Sequence, residues 1–573
     1  MILRALTDLH ARLSEEGKAA RPGFQEKPIP FLIVIDRGGN FMGLTDTTSP
    51  DAKRGITRVV PREEVRSGKN AWQKANILWD SPAYLLGVSD EKPEEARKKH
   101  KAFKSKIREV FPSVEIDEGV RAVLAFLERG DFTKIFSHPS WPTVLAMPGN
   151  NMTFQLENEG LVCQRPAVVA AVATVFGREV GEKVQCLVSG EMDIPVATHG
   201  KTRGVRDAQS SGANVVSFNL KAFNSYDKEQ GLNAPVGRRA EFAYGTALNT
   251  LLANQKRRLL VGDTTTVFWA EKKSVVEDLF ADLFGEPAKE NPDQAVNAIR
   301  ALYAAPATGT PPLDEDYTPF YVLGLSPNAA RLSVRFWHPG TVGETVRNIK
   351  RHFDDCRIDH GPKQPEYLSL FRLLSSTAVQ GKSENIPHNL AGEFMKSILA
   401  GTSYPRTALS VAVTRCRAER DVTYSRGSLI KALLARYARL RNPVVKEVGM
   451  SLDTSFTSPG YLLGRLFSVL EKIQEEANPG INATIRDRFY GGASGTPVVA
   501  FQHLMKLKNH HLAKFDNRGR AVNMERLIGE IVDKLPAPNP FPAHLSLDEQ
   551  GRFAVGYYHQ RQAFFTKSEK SKS

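Results

Sequence analysis

Arg331-Leu332-Ser333-Val334-Arg335-Phe336-Trp337, followed by Thr341-Val342-Gly343-Glu344, is the stretch where this chain changes period. Leu332, Val334 and Phe336 alternate with Arg331, Ser333 and Arg335, the period-two pattern of a strand with one apolar and one basic face. Thr341 and Glu344 then fit a capping box, which predicts a helix running to about Asp355. Before this point strands and helices alternate, and from about Pro365 onward helical periodicity takes over. Leu463, Leu466, Phe467, Leu470 and Ile473 share one helix face, and Asn478-Pro479-Gly480 ends it. Further helices are predicted around Ala500 to Leu512, Asn523 to Leu535 and Arg552 to Phe565.

Toward the N-terminus, Ile2, Leu3, Leu6, Leu9 and Leu13 line one face of an opening helix that stops before Pro22-Gly23. Phe31-Leu32-Ile33-Val34-Ile35 reads as a buried strand, Gly38-Gly39-Asn40 as a turn, and Phe41 to Leu44 as the hairpin partner. A third strand is predicted around Gly55 to Val60, another from Val184 to Val188, and another over Thr264 to Trp269. The fold class is therefore α+β: an N-terminal mixed α/β region with small antiparallel sheets, followed by an all-α C-terminal helical bundle. The proline-rich stretch Pro287 to Asp316 reads as a connection, and domains are expected over 1–290, 313–449 and 450–573.

The chain has 573 residues, and its 77 Lys and Arg against 63 Asp and Glu give a formal charge of +14. That balance favours an anionic partner, nucleic acid before membrane surface. The longest apolar run, Ala167 to Phe176, is about half of the ~20 residues a bilayer helix needs, so no membrane association is expected. Charges interrupt the first ten residues too early for a secretory signal, and the expected compartment is the cytoplasm. Cys163, Cys186, Cys356 and Cys416 are too widely spaced for a zinc knuckle or redox pair, which leaves reduced structural thiols.

Enzymatic motifs are weak. Gly200-Lys201-Thr202 matches the end of a phosphate-binding loop, but the glycine needed five residues earlier is Pro195, which has no amide to donate. His352, Asp354, Asp355, Cys356, Asp359 and His360 crowd together, and a metal-dependent nuclease using His352, Asp354, Asp355 and His360 is the alternative reading. The recurrence of His352, Cys356 and His360 every four residues at a helix end, with Asp354 and Asp355 beside Arg351 and Arg357, fits structural positions better. No serine sits in a nucleophile elbow. The expectation is a non-catalytic chain with no cofactor and no metal.

Binding signals are stronger. The loop from Gly200 to Asn214 combines Lys201, Arg203 and Arg206 with Gln209, Ser210, Ser211 and permissive glycines, a mixture suited to phosphates. Between Thr414 and Lys446, nine cations, including Arg415, Arg417, Arg436, Arg439 and Arg441, face only Glu419 and Asp421. A groove that tracks a nucleic-acid backbone is the expected use. The basic run from Arg97 to Arg108 is equally consistent with a solvated helix face.

Several ordered blocks together resemble the large-subunit family of type I-C CRISPR effector (Cascade) complexes. They are the opening helix and strand, Gln209-Ser210-Ser211-Gly212-Ala213, Val216-Ser217-Phe218-Asn219, Ala222-Phe223-Asn224-Ser225-Tyr226, Asn233-Ala234-Pro235, Phe320 to Asn328, Arg331 to Ile358 and Gly460 to Tyr490. Asp227 stands where the family pattern has glycine, and Gly237-Arg238 where a serine and an acid are usual. The resemblance implies an RNA-guided role: contacting the short motif beside a double-stranded DNA target, helping to open the duplex, and holding the displaced strand. The implied partners are the guide-RNA complex, the backbone and small subunits, and a helicase-nuclease recruited in trans. Motif contact is expected from Lys69, Asn70, Trp72, Gln73, Lys74 and Asn76, whose amides and amines can pair base edges. A small subunit made by internal translation is also implied, with Met450 as its start.

Overall fold

The computed structural model describes residues 1–573 apart from 51–52, 65, 67–69, 90, 114–116, 148, 179–180, 286–293, 305–316, 388 and 571–573. The chain forms two compact units, Leu3–Gly200 with Ser217–Leu248, and Lys201–Val216 with Asn249–Ser573. Most of the proline-rich connection, 287–293 and 305–316, lies outside the described residues.

The first unit carries strands β1 (Phe24–Ile29), β2 (Phe31–Ile35), β3 (Phe41–Asp46), β4 (Ile56–Pro61), β5 (Trp79–Asp80), β6 (Met152–Leu156), β7 (Val184–Gln185) and β8 (Met192–Asp193). Its helices are α1 (Ile2–Glu15), α2 (Pro82–Leu85), α3 (Pro93–Val110), α4 (Glu118–Arg129), α5 (Thr133–Phe136), α6 (Trp141–Ala146), α7 (Pro166–Arg178) and α8 (Arg238–Ala253), the last running across the division between units.

The expected hairpin of β2 and β3 is present, but the N-terminal sheet is mixed, with order β3-β2-β6-β5 and β2 parallel to β6. The strand expected as its third member, β4, instead pairs with β1 in a separate two-stranded sheet. The reason lies in Phe31–Ile35: four of its five residues are fully buried, so both edges and both faces need cover. That cover comes from far along the chain, where no local turn can signal it. The strand expected over Val184 to Val188 shortens to β7, because the chain turns back after Cys186, whose N–H donates to the Glu191 carbonyl.

The second unit carries the antiparallel sheet β12-β11-β10-β9, formed by β9 (Arg258–Val261), β10 (Thr264–Ala270), β11 (Pro319–Asn328) and β12 (Arg331–Thr341). Its helices begin with α9 (Val275–Phe284), α10 (Gln294–Ala304), α11 (Val342–Cys356), α12 (Leu370–Ser375), α13 (Leu390–Ala400), α14 (Arg406–Glu419) and α15 (Tyr424–Arg441). They end with α16 (Pro459–Ala477), α17 (Ile485–Gly495), α18 (Pro497–Leu512), α19 (Arg518–Val532) and α20 (Leu547–Lys570).

The predicted capping box opens α11: Glu344 N–H donates to Thr341 Oγ1 at 3.1 Å and Thr341 N–H to Glu344 Oε2 at 3.1 Å. Phe268, Phe320, Val322 and Phe336 bury one sheet face in a core that continues without a break through the helices to Tyr557 and Tyr558. The sheet and the helical half of this unit therefore share one interior. Within the helical half, α16 and α20 run in the same direction and meet through glycines. A Cβ on Gly464 would lie 2.0 Å from the Phe553 carbonyl oxygen, and one on Gly556 2.2 Å from that of Tyr461. All four cysteines are buried and unpaired with one another. No helix of the described residues is long and apolar enough to cross a membrane.

Candidate nucleic-acid interface

An exposed basic loop follows Lys201. Its two ends are closed by a reciprocal backbone pair, Thr202 N–H to Ala213 O and Ala213 N–H to Thr202 O, each 2.9 Å. Gly204 and Gly212 sit at φ +91° and +90°, where a side chain would be strained and, at Gly212, would meet the Thr202 carbonyl at 2.9 Å. Within the loop, Arg203 N–H donates to Asn249 Oδ1 at 2.9 Å and Arg206 N–H to Thr265 Oγ1 at 3.0 Å. Asn249 also donates to the Lys201 carbonyl at 3.2 Å, and Val205 is buried as an anchor.

The loop backbone is thus fastened to α8 and β10, while Lys201, Arg203, Arg206, Gln209, Ser210 and Ser211 all face solvent. Asp207 is the acid within it, 3.6 Å from Arg206. A fixed backbone with exposed cations and hydroxyls can grip phosphates without first ordering itself. Asn249 and Thr265 carry no signal in the sequence, since each reads as an ordinary polar residue of its helix or strand.

In the first unit, the segment expected to read the target-flanking motif divides. Lys69 lies outside the described residues. Asn70 precedes a single 3-10 turn over Ala71–Gln73, and Asn70, Gln73 and Lys74 are exposed there while Trp72 is half-buried. Asn76 is not available: it is 3% exposed, its Oδ1 accepts from Glu64 N–H at 2.9 Å, and its own N–H donates to Asp80 at 3.0 Å. Asp80 is buried too, paired with Arg66, whose guanidinium lies 4.1 Å over the Tyr84 ring. Burial pushes the Asp80 carboxyl up from its ordinary value against the pull of Arg66. Asn76 is consumed in fastening this turn, as a buried amide must be.

The cations of α14 and α15 also divide. Arg436 is fully buried, its Nε donating to Asp355 Oδ2 at 2.8 Å and its guanidinium lying 4.1 Å over the Tyr404 ring. Arg439 donates to both oxygens of the same carboxylate, at 2.7 and 2.9 Å. Burial alone would raise the Asp355 carboxyl, but the Arg439 and Arg436 guanidiniums outweigh it and hold it below its ordinary value.

Arg426 and Lys431 are buried as well, Lys431 donating to the Asp355 carbonyl at 2.9 Å and so capping the end of α11. Arg436 and Arg439 are therefore corrected from phosphate contacts to structural partners. The cause is position: α15 runs through the middle of its unit, with neighbours on nearly every side over Tyr424–Leu434. Arg417 and Arg441 are exposed, and Arg415 is half-buried beside Glu419 at 3.9 Å.

The residues of the nuclease alternative are dispersed rather than convergent. His352 is fully buried, with Nδ1 2.7 Å from the Tyr404 hydroxyl, and burial pushes it down to about 3. Asp354 accepts from the Tyr303 hydroxyl at 2.8 Å, Asp355 faces its two arginines, and His360 Nδ1 meets the Gly361 carbonyl at 3.0 Å. Among the described residues no group of three or more His, Cys, Asp or Glu side chains is arranged to hold a metal ion.

Compared with known protein families, residues 6–565 match the family described as CRISPR-associated protein (Cas_Csd1). No curated protein matches the chain.

Proposed function

Because the chain belongs to the Csd1 family of CRISPR-associated proteins, we propose that it is the non-catalytic large subunit of a type I-C, RNA-guided surveillance complex of the cytoplasm. In this reading it contacts the motif flanking a double-stranded DNA target, aids duplex opening, and recruits a separate helicase-nuclease. Guide-RNA pairing supplies sequence selection, with the backbone and small subunits as neighbours. The observation that carries the reading is the braced loop, whose three cations and three polar side chains all face solvent in a chain of charge +14.

Duplex binding by the purified protein should weaken steeply with salt, and Lys201→Ala, Arg203→Ala and Arg206→Ala together should flatten the log–log slope by about 2–3. An unchanged slope would put the phosphate contacts elsewhere. In the same preparation, Mg²⁺ or Mn²⁺ should leave the duplex uncut, and cleavage would overturn the non-catalytic reading.

Motif reading falls to the exposed amides Asn70 and Gln73, with Lys74 beside them. Asn70→Ala and Gln73→Ala, made separately, should each weaken binding to the correct flanking motif by about 1–3 kcal/mol and hardly affect a scrambled one. Equal losses on both sequences would assign these residues to phosphates or to folding.

A further inference from the structure

Glu241 lies in the first turn of α8, which Asp193 fixes by accepting the Arg239 N–H at 3.0 Å. Its side chain is 3% exposed, and both of its oxygens are engaged. Oε1 accepts the Gly200 N–H at 2.7 Å, and Oε2 accepts from Arg62 Nη2 at 3.0 Å. The approach requires glycine at 200, because a Cβ there would lie 2.8 Å from Oε1. One turn along the helix the Tyr244 hydroxyl lies 2.6 Å from His199 Nδ1. The two residues immediately before the phosphate loop are thus both held by α8.

Arg62 leads to the other group of expected DNA contacts. It follows β4 directly, and the residues around it are fastened to the segment that presents Asn70 and Gln73. The Pro61 carbonyl accepts the Trp79 indole N–H at 2.7 Å, Glu64 N–H donates to Asn76 Oδ1 at 2.9 Å, and Arg66 Nε donates to the Lys74 carbonyl at 2.7 Å. Pro61, Arg62, Glu64 and Arg66 therefore belong to a strap laid against the motif turn. Strap, turn, Gly200 and Glu241 all lie in the first unit. By charge a carboxylate adjoining phosphate contacts opposes DNA, so the use of this one is in its geometry. Buried and doubly bonded, it joins the start of the phosphate loop to the strap.

We propose that Glu241 is a positioning residue for target DNA: a latch whose one carboxylate fixes the start of the phosphate loop and the strap behind the motif turn together, so that phosphates and flanking bases are met in one register. The latch rests on the target-binding reading above.

The test follows the full chain in two ways. Hydrogen exchange read by mass spectrometry reports the latch without DNA, and a duplex with randomised flanks, retained by the protein and sequenced, reports the preference for flanking bases. In Glu241→Ala the segment containing Gly200 and the segment from Arg62 to Asn76 should both exchange faster. The preference for the best flank over the pool should fall about tenfold, the equivalent of one lost base contact. Total retention of the pool should not fall, since charge alone favours a protein with one carboxylate fewer. Glu241→Gln keeps an oxygen for the Gly200 N–H and should recover much of the preference, whereas Gly200→Ala should lose it with every charge in place. Asp117→Ala removes the N-cap of α4 in the same unit and should lower the melting temperature with the preference unchanged. If Glu241→Ala leaves either segment as protected as in wild type, the latch is overturned. If exchange rises while the preference stays, or if Asp117→Ala loses the preference equally, the positioning role is overturned. A wild-type chain that retains duplex with no preference among flanks would count against the target-binding reading itself, and the exchange result would still decide the latch.

Discussion

Asp355→Ala should destabilise the second unit by about 3–5 kcal/mol, seen as a large loss of denaturant midpoint or melting temperature. The carboxylate is the counter-ion for Arg436, which has no exposure to water, and it receives three of the hydrogen bonds that the two arginines make. Without it Arg436 keeps the Tyr404 ring and a 3.4 Å contact with the Ser397 carbonyl, which do not replace a charge partner in a dry interior. Arg439→Ala should cost far less, about 1 kcal/mol, because its side chain is 39% exposed and Arg436 would still neutralise Asp355. The comparison also separates structure from chemistry. A nuclease centre would lose activity in Asp355→Ala while keeping its fold, whereas a structural ion pair loses the fold first. A variant that melts within about 1 kcal/mol of wild type would remove Asp355 from the structural role assigned here.

Gly464→Ala should be destabilising by about 3 kcal/mol, or prevent folding of the helical half, although alanine is the better helix former. Its Cβ would lie 2.0 Å from the Phe553 oxygen and 2.8 Å from Tyr557 N, both backbone atoms of α20 that no rotamer change can move aside. Gly460 of α16 meets α20 at 2.1 Å and Gly556 of α20 meets α16 at 2.2 Å, so the clash cannot be relieved by tilting one helix about a neighbouring loose point. The helices would have to separate, and Phe467, Tyr490, Phe553 and Tyr557, whose rings cluster at 5.6–5.9 Å, would lose contact along the seam. Gly529→Ala on α19 is the control: nothing lies within 4 Å of the added carbon, and the helix should gain up to about 1 kcal/mol. Equal melting of the Gly464 and Gly529 variants would refute the close contact of α16 with α20.

The sequence alone determined the elements whose signals are local. Thr341 and Glu344 lie one helical turn apart, and they form the capping box as read. The apolar face from Leu463 to Ile473 is buried as its spacing requires. The loop after Gly200 is exposed because glycines, serines and charges offer nothing to bury, and its backbone closes on itself within a dozen residues. Only the tertiary structure decided which cations are free. Arg436, Arg439 and Arg441 look alike in sequence, yet the first is sealed beside Asp355, the second shares that carboxylate, and the third is exposed. Asn76 and Asn70 differ in the same way, one consumed by Glu64 N–H and the other open to solvent. Periodicity describes the faces of an isolated helix or turn, whereas burial depends on which distant segment covers a face. Asp355 reaches Arg436 from 81 residues away and β6 reaches β2 across most of the first unit, pairings settled by the free energy of the assembled core and by no short stretch of chain.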